Sequence, residues 1–236
     1  DAWYRHQIRK HTSTDMSADD IHALGQREMV RIRAEMLAVM AELDFKGDLA
    51  AFQRHLQADP RLNSRHGDDV IVAFTALKKR INAAMPRLFH ALPRADFEIR
   101  PVEAFRAASA AGASYQPPSA DGSRPGIFYV NTHPARGQPV YGMATLALHE
   151  ALPGHHYQFA MQQELHDLPR FQRFNSFKAY VEGWALYAES LGHELGLYHD
   201  PLQHYGHLND EMLRAMRLVV DTGLHARRWS REQAMS

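Results

Sequence analysis

Residues 148–158 read LHEALPGHHYQ, which places a histidine and a glutamate ahead of two further histidines. Two histidines of one helix bind a zinc ion most directly when they are four residues apart, because their ring nitrogens must approach to about 3 Å. The fourth position after His149 is instead Pro153. The stretch is therefore a broken metal site, a lengthened one, or a chance grouping of histidines.

The spacing from His149 to the later histidines requires the helix to deform. In an unbroken helix His155 would lie about 9 Å further along the axis and about 120° around it, and His156 about 10.5 Å further. Pro153 has no N–H to donate to the carbonyl of His149, and Gly154 accepts almost any backbone conformation. We predict that the helix breaks at this proline and glycine, so that the next turn returns to the metal.

A third ligand is offered by residues 179–190, AYVEGWALYAES, which have a helical pattern. Glu182 lies in this segment, and a carboxylate oxygen is a ligand that zinc accepts beside two imidazoles. The sequence therefore predicts a zinc site made of His149, Glu182 and one of the two later histidines.

The composition limits the classes of function. The 236 residues are 45% hydrophobic, enough for one large domain or two small ones that share a core. Lys+Arg and Asp+Glu are equal at 27 each, and no basic stripe is present, so we do not expect nucleic acid as a partner. The absence of cysteine excludes disulfides, thiolate nucleophiles and cysteine-type zinc sites.

No apolar run approaches the roughly 18 residues of a membrane span, so we expect a soluble protein without a membrane span in this chain. The chain begins without methionine and without the apolar region of a signal peptide. We expect a periplasmic or lipoprotein-anchored protein if a signal segment precedes residue 1, and otherwise a cytoplasmic one. The sequence does not indicate the oligomeric state.

Residues 1–91 are predicted to form an N-terminal helical region. Ser17 is a capping residue ahead of a long amphipathic helix over about 21–43, and a shorter helix is predicted over 47–57. Asp68 stands at the start of a third helix with apolar residues at helical spacing. We therefore expect three helices before any strand.

Residues 92–236 are predicted to hold a small sheet and the helices of the metal site. DFEIRPVEAF (96–105) and GIFYVNT (126–132) have the patterns of strands, and the Ala-, Ser-, Gly- and Pro-rich segment 107–125 between them is predicted to be a loop. From Tyr141 the pattern is helical with interruptions. The predicted fold is mainly α with a small central β-sheet, an α+β class, and both regions together form one continuous catalytic unit.

Two motifs resemble those of known zinc peptidases. EGWALYAE (182–189) resembles the EGxAxYxE stretch of the aminopeptidase N type, whose first glutamate binds the metal. HEALPGHH (149–156) resembles an extended form of the HExxH helix of that clan. Relatives of angiotensin-converting enzyme place one residue between HE and GH, dipeptidyl peptidase III places two, and this chain places three. Alignment on the Gly-His pair indicates His155 as the second ligand, with His156 as the alternative.

The whole chain resembles the bacterial proteins of domain-of-unknown-function family 885. The resemblance is carried by GIFYVNT, HEALPGHHYQ, VEGWALYAE and RLVVDTGLHARRWSREQA (217–234). That family is grouped with the gluzincin-type metallopeptidases, which implies a gluzincin-like metallopeptidase domain. Its members continue past the position of Met235, so we expect this chain to be truncated at the C-terminus relative to the family.

The resemblance implies a zinc metallopeptidase that acts on a peptide substrate. Zn²⁺ held by His149, His155 and Glu182 would keep one position open for water, and Glu150 would act as the general base in the attack on a peptide carbonyl. Glu189, about two turns from Glu182 on the same helix face, would support a ligating imidazole.

Residues 126–132 would bind substrate if this strand borders the cleft. An extended peptide would then add to the strand through backbone hydrogen bonds. Tyr129 and Asn131 are the candidate substrate-binding residues of this strand.

Arg217, Asp221 and His225 fall at helical spacing on one face near the C-terminus. His225 is the candidate donor to the oxyanion, with Asp221 orienting its ring. A ladder of surface ion pairs explains the same spacing equally well.

Two alternative functions remain open on the sequence. One is a catalytically silent peptide-binding module with a structural metal, and the other is a zinc amidohydrolase that acts on non-peptide amides. The substitution Glu150→Gln separates the first from a hydrolase, and a peptide-library cleavage profile separates the second from a peptidase.

Overall fold

The computed structural model describes residues 2–64, 66–133 and 138–235. The protein is mainly helical with a small three-stranded sheet, which confirms the predicted α+β class. The helices are α1 (Ala2–Thr12), α2 (Ala18–Glu42), α3 (Leu49–Ala58), α4 (Gly67–Ala84), α5 (Ala104–Ala107), α6 (Met143–Glu150), α7 (His155–Glu164), α8 (Arg170–Phe174), α9 (Lys178–Ser190), α10 (Pro201–His225) and α11 (Arg231–Met235). The strands are β1 (Asn63–Ser64), β2 (Phe97–Pro101), β3 (Ala113–Gln116), β4 (Gly126–Val130) and β5 (Gln138–Pro139).

Capping residues begin two of the three predicted N-terminal helices, α2 and α3. Ser17 and Asp20 form a reciprocal capping box at the start of α2, and the side chain of Asp48 accepts a hydrogen bond from Ala51 N at the start of α3. The prediction of three helices before any strand is wrong on two counts. It omits α1, and it omits the short strand β1. This strand precedes α4 in the sequence and pairs with β5.

The three-stranded sheet has the order β2-β4-β3, with β2 parallel and β3 antiparallel to β4. The predicted strands at 96–105 and 126–132 correspond to β2 and β4. Strand β3 lies inside segment 107–125, so the prediction of a loop there is wrong. Its residues Ala113 and Ser114 favour strands only weakly, and pairing with β4 overrides that local preference.

Two apolar clusters form the core, and helix α10 also contacts the metal-site helices α6 and α9. One cluster joins α4, β4 and α6 around Phe74, Phe128 and Leu148. The other joins α2, α3 and α10 around Ile32 and Tyr205. Helix α10 packs against α2 along much of its length. This packing fixes the positions of the polar side chains that α10 directs toward α6 and α9.

No helix within 2–64, 66–133 and 138–235 combines the length and apolar character that a membrane span requires.

Candidate metal centre

The predicted break between the two histidine-bearing helices is present. Helix α6 ends at Glu150, and α7 begins at His155. Ala151 between them has φ −106° and ψ −109°, outside the helical region, and the N–H of His156 donates to its carbonyl at 3.1 Å. The chain therefore reverses locally and brings the start of α7 back against the end of α6.

Gly154 allows this reversal because its backbone passes very close to α6. A Cβ atom at this position would lie 2.0 Å from the carbonyl oxygen of His149 and 2.3 Å from that of Leu148. Trp184 of α9 donates from Nε1 to the carbonyl of Pro153 at 2.7 Å, which fixes the outer side of the same segment. No residue other than glycine fits without a backbone shift.

The substitution Gly154→Ala should therefore destabilise the protein by about 3 kcal/mol and displace His155 from the metal. Thermal unfolding and zinc stoichiometry measure the two effects. Gly183→Ala is the matched control, because a Cβ at Gly183 of α9 would meet nothing within 4 Å. Equal stability of the two variants would show that the backbone approach is not a constraint.

Three ligand-type side chains converge beside this break. The ligand atoms of His149, His155 and Glu182 all lie within 4.8 Å of one another. Nε2 of His149 is 3.6 Å from Oε2 of Glu182, and the two imidazole rings are 4.7 Å apart and nearly perpendicular. Ligands of a tetrahedral zinc ion lie about 3.4 Å from each other, so two nitrogens and one oxygen fit this metal.

Glu189 fixes the orientation of the His149 ring. Nδ1 of His149 donates to Oε1 of Glu189 at 2.6 Å, and the Glu189 side chain is only 1% exposed. Arg214 of α10 donates from Nη2 to the same oxygen at 2.9 Å, and Tyr198 donates to the Glu189 carbonyl at 2.9 Å. When the ring is neutral, the bond to Glu189 keeps the remaining proton on Nδ1, so that the Nε2 lone pair faces the cluster.

Replacing Glu189 by glutamine should lower zinc affinity about 10- to 100-fold, because an amide is a weaker acceptor for the imidazole proton than a carboxylate. A competition titration against a chelator measures this affinity. Glu194→Gln, at an exposed position, removes the same charge as a control. Unchanged zinc affinity in both variants would mean that Glu189 does not tune the His149 ligand.

The two later histidines have different surroundings. The ring of His155 faces His149, whereas both nitrogens of His156 are occupied, since Tyr115 Oη donates to Nδ1 at 2.7 Å and Nε2 donates to Ala95 O at 3.0 Å. His156 therefore has no lone pair for a metal. His155 has a buried Nδ1 without a partner among the described residues, as expected of a site completed by an ion or water.

Burial keeps both later histidines neutral, the form that binds metals. It lowers the pKa of His155 to about 4, with the positive charge of His149 adding to the effect. It also lowers the pKa of His156 to about 4. His149 behaves differently: burial would lower its pKa, but the carboxylates of Glu182 and Glu189 outweigh burial and raise it to about 9.

Zinc binding should therefore be opposed by a proton on His149 at neutral pH. Because the pKa of His149 in the metal-free protein is raised to about 9, the proton is held below that pH and must leave before Nε2 binds zinc. We expect zinc affinity to rise about tenfold per pH unit from pH 6 to 8 and to level off near pH 9. A chelator titration across this range measures the slope, and a flat profile would contradict the prediction.

The cluster opens into a cavity of about 640 Å³. Glu150, 8% exposed, lines it, and burial raises the pKa of this carboxyl to about 7 against the opposing charge of His149. Strand β3 forms one side through residues 113–115, and its outer edge pairs with no strand in the described part of the chain. The remaining lining includes Leu146, Phe159, Val181, Asp210, Arg214 and Arg217.

The substrate-binding prediction for 126–132 requires correction. Strand β4 is the middle strand of the sheet, so neither of its edges is free to pair with a peptide. Asn131 is 1% exposed, and its side chain donates to the carbonyls of Ala107 and Ala110. Tyr129 packs under the guanidinium of Arg106 at 5.1 Å, and neither predicted residue lines the cavity.

The structure separates the predicted trio on α10. Arg217 lines both the metal cavity and a second cavity between α1 and α10, whereas Asp221 and His225 line only the second. Asp221 accepts a hydrogen bond from Tyr4 Oη at 2.6 Å, and His225 lies 4.0 Å from Asp221. His225 follows Arg217 by eight residues of α10, which is about 12 Å along the helix axis, and it does not line the metal cavity. The prediction of His225 as the oxyanion donor is therefore wrong.

Arg214 and Asp210 are residues of the cavity that the sequence reasoning missed. They precede Arg217 at helical spacing and extend its face toward the cluster. Burial raises the pKa of Asp210 to about 6, with the charge of Glu189 adding to it. The helical spacing was present in the sequence, but the pattern alone does not say which end of a 25-residue helix meets the metal.

Comparison with known proteins agrees with this fold. A family model described as "Bacterial protein of unknown function (DUF885)" matches residues 1–236. A solved structure described as "the putative lipoprotein from Colwellia psychrerythraea" is 34% identical, with a TM-score of 0.93 over 99% of this chain. The chain spans 41% of the length of that protein. No curated protein matches the chain.

Proposed function

The chain belongs to the DUF885 family of bacterial proteins of unknown function, and from this membership and the site geometry we propose that it is a zinc-dependent hydrolase. The reaction we propose is peptide-bond cleavage, in a gluzincin-like metallopeptidase domain. The observation that carries the proposal is the convergence of His149, His155 and Glu182 beside the buried carboxyl of Glu150.

The donor set supports zinc as the metal. Two imidazoles and one carboxylate from three separate helices would leave one side of a tetrahedral ion open to the cavity, as in catalytic zinc sites. Zinc in this position would supply a Lewis acid that polarises a carbonyl group and acidifies water. Glu189 and Arg214 would hold His149 in the tautomer that the metal needs.

Glu150 is the general base of the proposed reaction. It directly follows His149 in α6, and no described residue forms a hydrogen bond or ion pair with its carboxylate, so it is free to act on water. Its pKa, raised to about 7 by burial, suits a group that takes a proton from water and passes it to the leaving amine.

The free edge of β3 supports a peptide as the substrate. Backbone groups of an extended peptide can pair with this edge, as in other cases of strand addition, and the adjacent cavity lies directly against Glu150 and the ligands. The apolar side chains of Leu146, Phe159 and Val181 would contact substrate side chains. A non-peptide amide could bind the metal, but it has no extended backbone to pair with the free edge of β3.

The proposal is tested by zinc analysis of the purified protein and by cleavage of a peptide library with and without a chelator. We expect about one zinc per chain and chelator-sensitive cleavage at peptide bonds. Zinc without cleavage would favour the silent binding module, and cleavage of only non-peptide amides would favour the amidohydrolase.

The solved relative suggests a location for the protein. Because that 34% identical protein is described as a "putative lipoprotein", we propose lipid anchoring outside the cytoplasm for the protein that contains this chain. Membrane fractionation of the source cells, with detergent release of the protein, tests this location. Recovery in the cytoplasmic fraction would contradict it.

A further inference from the structure

Arg217 lies where two cavities meet. It follows Arg214 by one turn of α10, and it lines both the metal cavity and the second cavity between α1 and α10. The guanidinium of Arg214 forms an ion pair with Glu189. Arg217 is exposed and forms no ion pair or hydrogen bond with any residue in the described ranges. A cation without a partner among the described residues therefore lies where the two cavities adjoin.

The second cavity has a different character from the first. Its volume is about 610 Å³, and most of its surface is apolar, contributed by residues such as Trp3, Tyr4, Ile8 and Leu218, although polar residues also line it. The carboxylate that lines it, Asp221, already accepts a hydrogen bond from Tyr4 Oη at 2.6 Å. The surface that leads away from Arg217 thus suits an apolar or aromatic group.

Away from the metal itself, charge makes Arg217 the favourable place for an anion in this cleft. Four acidic residues line the metal cavity, namely Glu150, Glu182, Glu189 and Asp210, and they oppose an anionic group that contacts neither the metal nor Arg217. A guanidinium presents paired N–H donors that match a carboxylate, and Arg217 has these donors free.

We propose that Arg217 binds a carboxylate of the substrate and that the α1–α10 cavity receives the apolar side chain next to it. The inference rests on the proposed hydrolase function and names the substrate class of the same site. The carboxylate belongs either to the C-terminus of a peptide or to an acidic side chain, and both sources offer the same group to the guanidinium.

Calorimetric titration of the zinc-loaded protein with short peptides tests the inference. One pair is N-acetyl-Ala-Phe with a free carboxylate and with a C-terminal amide. The other pair is the amides of N-acetyl-Asp-Phe and N-acetyl-Asn-Phe. We expect the native protein to bind the carboxylate member of one pair about tenfold more tightly, and that pair identifies the source of the anion.

Three variants assign the preference to one side chain. Arg217→Gln should reduce the tenfold preference to less than about twofold, and Arg217→Lys should retain part of it because the charge remains. Arg33→Gln, which removes an exposed arginine of α2 that lines neither cavity, should leave the preference unchanged. Zinc content shows that each variant keeps the metal site.

Two results would overturn the inference. The first is an equal preference in the native protein and Arg217→Gln, since the carboxylate would then bind elsewhere, such as at the metal. The second is no preference in the native protein for either pair. Neither result bears on hydrolysis, because failure of the proposed function is recognised separately by absent zinc or by zinc without cleavage.

Discussion

Glu150→Gln should lower the turnover number by about 10²–10⁴-fold while the protein still binds zinc. Glutamine keeps the size and most of the polarity of glutamate, but it cannot take a proton from water. Glu150 is not one of the converging ligands, so its loss leaves His149, His155 and Glu182 in place. The rate therefore falls without loss of the metal.

Steady-state kinetics on a cleaved library peptide, together with zinc analysis, measures both parts of this expectation. Glu194→Gln is the control, because it removes a carboxylate at an exposed position outside the cavity. If the native protein and Glu150→Gln behave alike in every assay while both carry zinc, the protein is a binding module with a structural metal.

The parts of the site that the sequence predicts are those set by neighbouring residues. A proline without an N–H and a glycine that fits against α6 determine the break at 151–154, and both effects are local. The helical segment that carries Glu182 and Glu189 is likewise visible as a periodic pattern. Local chemistry thus predicts which elements form and which residues share a face.

The parts that the sequence does not predict depend on contacts between distant residues. Strand β3 forms because it pairs with β4, although its own residues favour strands weakly. Arg214 reaches Glu189 because the packing of α10 against α2 and the metal-site helices fixes the position of α10 along its axis. Helical spacing alone does not choose between His155 and His156, because the choice depends on the direction of the chain after the break. Only the alignment on the Gly-His pair indicates His155, whose ring faces His149 in the structure.

A pair of alanine substitutions should separate the roles of the adjacent histidines. His155→Ala should weaken zinc binding by more than about 100-fold, the upper end of the cost of losing only a supporting group. It should change the free energy of unfolding of the metal-free protein little, because Nδ1 of His155 has no partner there and its neighbour His149 is positively charged at neutral pH.

His156→Ala should show the opposite pattern. Its removal leaves Tyr115 Oη and Ala95 O without their buried partner and creates a cavity beside Phe97, so we expect a loss of about 2–4 kcal/mol in stability. Zinc affinity should fall less than tenfold. Urea unfolding of the metal-free proteins and chelator competition of the loaded ones measure the two quantities. A reversed result, with zinc lost only in His156→Ala, would place the second ligand at the alternative histidine and require α7 to turn about its axis.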